Sequence, residues 1–284
     1  MSDERIIEAN GVDLCVGTFG DPAHPAVLLI MGSSASMDWW PDELCERLAA
    51  GRRFVIRYDH RDTGRSVSYE PGAPGYTGDD LAEDAAALIR ALHLGRAHLV
   101  GMSMGGAIAQ LVALDHPERV SSLTLIATAA AVSGPDAPDF VPMTQEAAAR
   151  FAAIPTPDFA DRAAVIDYIV DLERAAAGTR PFADAEWREL AGRAVDRTTS
   201  VESFLTNHNA LEDDGRTVSL ANLKVPTLVV HGTEDPVLPY PNGVALVGAI
   251  PGARLLTVEG MGHEVARVDW DLLVPAILEH TAGE

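Results

Sequence analysis

A Gly-x-Ser-x-Gly sequence at residues 101–105 constrains this chain more than any other feature, because it lies between an apolar strand and a helix. A strand that reverses so sharply into a helix forces the central residue, Ser103, into a strained backbone conformation. Its neighbours two positions away must then lack side-chain bulk. The turn exposes the Ser103 hydroxyl and leaves the backbone N–H of Met104 at a helix N-terminus, where it can stabilise a developing oxyanion.

Apolar runs of strand length alternate with amphipathic helical stretches in both end regions of the chain. Strands are predicted at 12–16, 26–31, 54–58, 97–100, 122–127, 227–231 and 254–258. Helices are predicted at 42–50, 81–92 and 242–250, directly after Ser103, and beyond His263. Strands that are apolar on both faces and alternate with helices predict an α/β fold, with a mostly parallel twisted sheet flanked by helices. Strand 12–16 is predicted to be an antiparallel edge strand.

The alternation stops near Ala129 and resumes only at the strand 227–231. The intervening residues contain proline-rich joints and helical stretches at 161–176 and 184–195, with no convincing buried strand. A helical insertion between two sheet strands is expected to cover the carboxyl edge of the sheet, where ligands bind in open α/β folds. The predicted domains are therefore a core of residues 1–132 and 218–284, and a helical cap of residues 133–217.

Two later loops supply a base and an acid for Ser103. Asp235 follows the strand 227–231, and His263 follows the strand 254–258 in a glycine-rich loop. A serine hydroxyl becomes an effective nucleophile when a base takes its proton and a third group orients that base. We predict that His263 is the base and Asp235 the orienting acid. Glu234 is the alternative acid, although the Gly-x-x-Asp spacing favours Asp235.

The loop after the strand 26–31 is predicted to supply a second oxyanion donor. The backbone N–H of Ser33 is the expected donor, with Ser34 as the alternative. Trp39 and Trp40 follow closely. One of them is a candidate to line an acyl pocket, and the alternative is that both pack against the helix. His208, in the insertion, is predicted to have a structural or exposed role, with lining of the pocket as the alternative. The charged segment 59–66 is predicted to be a structural turn.

Composition limits the possible partners and compartments. The net charge of −21 would repel nucleic acid and anionic membranes. Without a long apolar run or a secretory signal at the start, we expect a cytoplasmic protein. Cys15 and Cys45 lack metal-type spacing and are expected to be buried or half-buried free thiols. Because no phosphate-binding glycine loop or metal-type cluster occurs in the sequence, we expect no cofactor and no metal. The oligomeric state stays open.

Five segments together resemble the α/β-hydrolase superfamily. They are residues 31–33, 59–66, 101–106, 232–236 and 260–263. Within that superfamily the chain resembles the aclacinomycin methylesterases and related bacterial esterases, through residues 58–66, 113–116 and 121–124. The resemblance implies a serine esterase with a Ser103, Asp235 and His263 triad, and with Ser33 and Met104 as oxyanion donors. The chain order of nucleophile, acid and histidine agrees with this fold.

The sequence therefore predicts a serine hydrolase that cleaves small-molecule carboxylic esters through an acyl-enzyme on Ser103. Methyl esters of bulky or polyketide-like acids are candidate substrates. Alternatives with the same triad are a cofactor-free perhydrolase, a lactonase and a C–C bond hydrolase. A non-catalytic protein that binds a small ligand is the remaining alternative. Haloalkane dehalogenases and epoxide hydrolases are disfavoured, because they need a carboxylate where Ser103 stands.

Overall fold

The structure is a computed structural model that describes residues 3–132, 137–211 and 217–282. Eight strands in these ranges form one sheet with the order β1-β2-β4-β3-β5-β6-β7-β8. The strands are β1 (Asp3–Ala9), β2 (Val12–Phe19), β3 (Ala26–Ile30), β4 (Phe54–Tyr58), β5 (Ala97–Met102), β6 (Val120–Ile126), β7 (Thr227–Gly232) and β8 (Arg254–Val258). Strand β2 pairs antiparallel with β1 and β4, and every other neighbouring pair is parallel.

The α-helices of the described ranges alternate with the strands at both ends of the chain and follow one another in the middle. They are α1 (Asp42–Ala50), α2 (Gly78–Ala91), α3 (Met104–Asp115), α4 (Gln145–Ala152), α5 (Arg162–Ala176), α6 (Asp184–Arg197), α7 (Val201–Thr206), α8 (Pro241–Ala249) and α9 (Trp270–His280). The predicted fold class, a mostly parallel sheet flanked by helices, is confirmed.

Helices cover both faces of the sheet. Successive residues of a strand point to opposite faces, so a strand covered on both sides must be apolar throughout. In β3, Leu28 and Ile30 pack in the core cluster that includes α2, α3 and α8. Val27 and Leu29 pack in the second cluster, which includes α1 and α9. This two-sided burial explains why the apolar runs of the parallel strands are continuous.

The prediction that 12–16 is the edge strand was wrong. Strand β1 lies outside it and pairs along its length, from Asp3 with Thr18 to Ala9 with Val12. Asn10 and Gly11 connect the two strands, both with positive φ (50° and 75°). An Asn-Gly pair in this conformation is a favoured two-residue hairpin turn.

Helices α4 to α7 lie between β6 and β7, and the part of the insertion that is described, residues 137–211, contains no strand. Its helical content agrees with the predicted cap. The predicted domain boundaries stay a prediction, because residues 133–136 and 212–216 lie outside the described residues.

Side-chain contacts fix the turn 59–66 against the sheet and helices. Asp59 accepts a hydrogen bond from the Arg65 backbone N–H at 3.0 Å. The buried Arg61 guanidinium makes two hydrogen bonds of 2.7 Å with Asp84 of α2. Two parallel bonds between a guanidinium and a carboxylate fix geometry as well as charge. These contacts agree with the prediction that the segment is a structural turn.

Cys15 and Cys45 are both buried and unpaired, as predicted. Burial raises the pKa of each thiol to about 12, so both stay protonated at neutral pH. None of the helices in the described ranges is long and apolar enough to span a bilayer.

Candidate active site

Ser103 occupies the turn between β5 and α3, with φ 53° and ψ −122°. This is the strained conformation predicted for the centre of the Gly-x-Ser-x-Gly sequence. A Cβ at Gly101 would come within 2.2 Å of the Gly105 carbonyl oxygen, and a Cβ at Gly105 within 2.1 Å of the Ile30 carbonyl oxygen. Such approaches are far shorter than van der Waals contact, so only glycine allows the chain to pass through this turn.

The structure brings together the three side chains that the sequence singled out. The Ser103 Oγ lies 2.9 Å from His263 Nε2, and His263 Nδ1 lies 2.9 Å from Asp235 Oδ2. A carboxylate accepts hydrogen bonds only, so the proton of a neutral imidazole belongs on Nδ1. Nε2 then accepts the hydrogen bond from the Ser103 hydroxyl. This is the arrangement that allows a histidine to remove the serine proton.

Backbone groups hold the Asp235 carboxylate in place. Its Oδ1 accepts N–H hydrogen bonds from Val237 at 2.9 Å and from Leu238 at 2.8 Å. The residue is only 4% exposed, and Oδ2 is left to face His263. The neighbouring Glu234 side chain is exposed to solvent. Of the two candidate acids, the structure therefore places Asp235 against the imidazole.

The end of α5 packs directly on the loop that carries His263. The backbone N–H of His263 donates to the Ala176 carbonyl oxygen at 2.9 Å. A Cβ at Gly262 would lie 2.1 Å from the backbone nitrogen of Gly178, so this close contact requires glycine. The Glu264 carboxylate accepts the Gly178 N–H, and burial raises the pKa of this carboxyl. Contacts of the helical insertion thus position the imidazole.

Ser33 and Met104, the predicted oxyanion donors, lie in the two segments that meet at Ser103. Met104 begins α3 directly after Ser103, and Ser33 follows Gly32, whose added Cβ would lie 3.2 Å from the Ser103 Cβ. Neither of these two N–H groups has a protein acceptor within the described ranges. The alternative donor, Ser34, has its N–H engaged by His208 Nδ1 at 3.0 Å. The geometry therefore favours Ser33 over Ser34.

His208 connects the insertion to this oxyanion loop. Its Nδ1 accepts the Ser34 N–H, so its Nε2 carries the proton and donates to the Arg61 carbonyl oxygen at 2.9 Å. Burial lowers the pKa of His208 to about 3, which keeps the ring neutral. The structural interpretation of this residue agrees with these contacts, and the ring does not line the cavity. Ser34 itself has a φ of 52°, a conformation that needs such support.

We expect His208→Ala to lower kcat for an ester by about 10- to 100-fold with little change in KM, because a displaced oxyanion donor weakens transition-state binding. His208→Asn should recover most of the loss, since its amide oxygen can accept the Ser34 N–H. Steady-state kinetics on p-nitrophenyl butyrate measures both. Equal kcat values for the alanine variant and the wild type would show that His208 does not position this loop.

A cavity of about 360 Å³ adjoins Ser103 and His263. Its wall is largely apolar, with side chains from the sheet edge and from the helical insertion. These apolar residues include Met31, Trp39, Met102, Met143, Phe151, Ile169, Leu172, Trp187, Leu205 and Val265. Of the two tryptophans considered, Trp39 lines the cavity and Trp40 is buried in the core. A cavity of this size and character can enclose a drug-sized organic ligand.

A second cavity of about 640 Å³ lies beside the first and shares Trp39, Trp187 and Val265 with it. It is lined by many charged side chains, among them Arg193 and Arg197. Ser103, Asp235 and His263 do not line it. The smaller cavity is therefore the one that can present a substrate to Ser103.

Sequence reasoning did not identify Glu173 as a residue of the cavity wall. Glu173 on α5 lines the wall, and its Oε1 accepts a hydrogen bond from the Trp39 indole N–H at 2.8 Å. The signal was present, because Glu173 follows Ile169 by four positions and precedes Ala176 by three, which places it on the buried face of the helix. A carboxylate on an apolar helix face deserves a functional explanation.

Within residues 3–132, 137–211 and 217–282, no group of three or more His, Cys, Asp or Glu side chains is arranged to hold a metal ion.

The family profile of the α/β-hydrolase fold matches residues 25–266. The chain is 36% identical over 290 residues to the rhodomycin D methylesterase DauP of Streptomyces sp. (strain C5), covering 98% of this chain and 97% of that protein. The esterase EaEST of Exiguobacterium antarcticum superimposes with a TM-score of 0.77 at 25% identity, over 97% and 98% of the two chains. The 2-hydroxy-6-oxo-6-phenylhexa-2,4-dienoate hydrolase of Rhodococcus sp. strain RHA1 gives a TM-score of 0.76 at 21% identity, over 99% of both chains. The predicted superfamily is confirmed: this chain belongs to the α/β-hydrolase fold family.

Proposed function

We propose that this protein hydrolyses carboxylic esters through an acyl-enzyme on Ser103. The observation that carries the proposal is the pair of 2.9 Å contacts that joins Ser103 Oγ to His263 and His263 to Asp235 at the wall of a largely apolar cavity. The similarity to a protein named as a methylesterase supports ester cleavage.

In the first half-reaction, the Ser103 Oγ attacks the ester carbonyl carbon while His263 Nε2 takes the hydroxyl proton. The carbonyl π electrons move to oxygen, and the N–H groups of Ser33 and Met104 stabilise the resulting oxyanion. Asp235 stabilises the imidazolium. When the tetrahedral intermediate collapses, the ester C–O bond breaks, and the leaving alkoxide takes the proton from His263.

In the second half-reaction, water replaces the departed alcohol. His263 removes a proton from this water as it attacks the acyl carbon, and a second tetrahedral intermediate forms in the same oxyanion site. Its collapse breaks the bond to Ser103 Oγ, which takes the proton back from His263. The products are a free acid and an alcohol, and the enzyme returns to its starting state without a cofactor.

We propose that the substrates are methyl esters of bulky, polyketide-like acids. The apolar wall of about 360 Å³ suits a large aromatic acid, and the helical insertion, proposed as a cap over residues 133–217, supplies much of that wall. The charge of the cavity supports an ester without a free carboxylate, since Glu173 and Glu264 line it and no lysine or arginine does among the described residues. A dienoate, the substrate class that the Rhodococcus hydrolase is named for, would bring a negative charge into this site.

The test is a hydrolysis profile over p-nitrophenyl esters of increasing chain length, run beside methyl esters of bulky aromatic acids. We expect turnover of both series, with methanol released from the second, and labelling of Ser103 by a fluorophosphonate probe. Assays of peracid formation and of vinylogous acid cleavage serve as comparison arms for the perhydrolase and C–C hydrolase alternatives. Labelled Ser103 with no ester turnover, together with activity in either comparison arm, would overturn the proposal.

A further inference from the structure

Glu173 is a carboxylate in the catalytic cavity that the proposed reaction does not use. Its Oε1 accepts the Trp39 indole N–H, and this is the single hydrogen bond that the described residues give to it. The second oxygen, Oε2, has no protein partner there and remains accessible. A carboxylate in an apolar wall with one of its two oxygens unpartnered is costly, so the site favours a ligand that donates a hydrogen bond to Oε2.

The charges around Glu173 favour a donor over an acceptor. The other titratable side chains that line the cavity are Tyr168 on α5, together with His263 and Glu264 on the loop after β8. Burial raises the pKa of Glu173 to about 7; the Trp39 hydrogen bond acts in the opposite direction, and the nearby Glu264 adds to the rise. The carboxyl is therefore about half ionised at neutral pH. A positive group would stabilise its ionised form, whereas a negative group would be repelled.

We propose that Glu173 is a specificity-determining residue that selects esters whose acid part carries a hydrogen-bond donor, most strongly a protonated amine, and rejects acids with a second, free carboxylate. The inference rests on the proposed ester hydrolysis, which supplies the reacting group at Ser103. The donor belongs to the acid part because the alcohol part of a methyl ester is too small to reach a second group. A charge-assisted N–H to Oε2 hydrogen bond would supply the partner that the protein does not.

The test uses four methyl esters of one naphthoic acid that differ in a single ring substituent. The substituents are aminomethyl, which is protonated at neutral pH, hydroxymethyl, ethyl and carboxylate. At pH 8 we expect kcat/KM of the wild type to fall in that order, with the aminomethyl ester at least about tenfold above the ethyl ester. The ratio of kcat/KM for two of these esters cancels every protonation step that both share.

The variant Glu173→Gln retains the size of the side chain and an acceptor for the Trp39 N–H but removes the charge. We expect the aminomethyl-to-ethyl ratio to fall by about tenfold, and the carboxylate ester to improve, while the ethyl ester changes little. Glu202→Gln, on the exposed side of α7, removes the same charge at a residue that does not line the cavity and should leave the ratios among the four esters unchanged.

The pH dependence of the ratio separates this role from simple packing. Because the pKa of Glu173 is about 7, the carboxylate form grows from pH 6 to pH 8, and the wild-type aminomethyl-to-ethyl ratio should rise over that interval. The ratio should be flat in Glu173→Gln. Trp39→Phe, which removes the indole N–H that stabilises the ionised carboxyl, should move the rise to higher pH. This second variant keeps the test available if the glutamine variant folds poorly.

The outcomes distinguish this inference from the proposed function. Wild-type protein that turns over none of the four esters, nor any p-nitrophenyl ester, would refute ester hydrolysis itself. Turnover of the neutral ester without a preference for the aminomethyl ester, or a preference that survives in Glu173→Gln, would overturn the inference alone. A preference that disappears in Glu173→Gln and persists in Glu202→Gln supports it.

Discussion

Replacing Ser103 with alanine should lower kcat on p-nitrophenyl butyrate by roughly 10³- to 10⁶-fold, with KM changed little. In the proposed reaction the Ser103 Oγ forms the acyl-enzyme, and alanine leaves no nucleophile in its position 2.9 Å from His263 Nε2. The residual rate reports what the oxyanion donors and the cavity contribute without covalent chemistry. The measurement is steady-state hydrolysis, with fluorophosphonate labelling of the same preparations.

The matched control for this prediction is Ser121→Ala. Ser121 lies at the start of β6, whereas Ser103 follows the end of the adjacent parallel strand β5, so the two serines are at opposite ends of the parallel strands. We expect the control to retain its rate and its labelling. A Ser103→Ala variant that is folded and still hydrolyses esters at a rate near that of the wild type would rule out the acyl-enzyme on this residue.

The parallel strands and the loops after them were predictable because strands that are buried on both faces consist of continuous runs of apolar residues. The turn at Ser103 was predictable for a second reason: it requires glycine at 101 and 105, where an added Cβ would come within 2.2 Å and 2.1 Å of carbonyl oxygens. The outer strand β1 was not predicted, since its exposed, charged residues do not give a clear apolar pattern. Its only strong signal was the Asn10-Gly11 pair.

Contacts between distant segments were the part of the site that sequence reasoning could not supply. His208 reaches Ser34 across 174 positions of the chain, and Trp39 reaches Glu173 across 134. Neither pair has a spacing rule, because both depend on how the helical insertion docks on the sheet edge. Helical periodicity could place Glu173 on a buried face, but it could not show that this face borders the cavity beside Ser103.

Replacing Asp235 with asparagine should lower kcat by about 10³- to 10⁴-fold at neutral pH, because it reverses the imidazole tautomer. The N–H groups of Val237 and Leu238 both donate to Oδ1, so the amide oxygen of the asparagine must take that position. The amide NH₂ then replaces Oδ2 and donates toward His263 Nδ1. Because Nδ1 then accepts a hydrogen bond, the neutral His263 ring carries its proton on Nε2. Nε2 can no longer accept the proton of Ser103.

His231 cannot replace the lost carboxylate, although it lies 3.5 Å from Asp235 Oδ2. Its Nε2 donates to the Leu238 carbonyl oxygen at 2.7 Å, and burial lowers its pKa, so it is neutral. The control is Glu234→Gln. It removes the same charge from the neighbouring residue, whose side chain is exposed, and should leave kcat within about twofold of the wild-type value. If the glutamine variant loses activity and Asp235→Asn retains it, the orienting acid is Glu234. Equal losses in both would point to the local charge rather than to the tautomer.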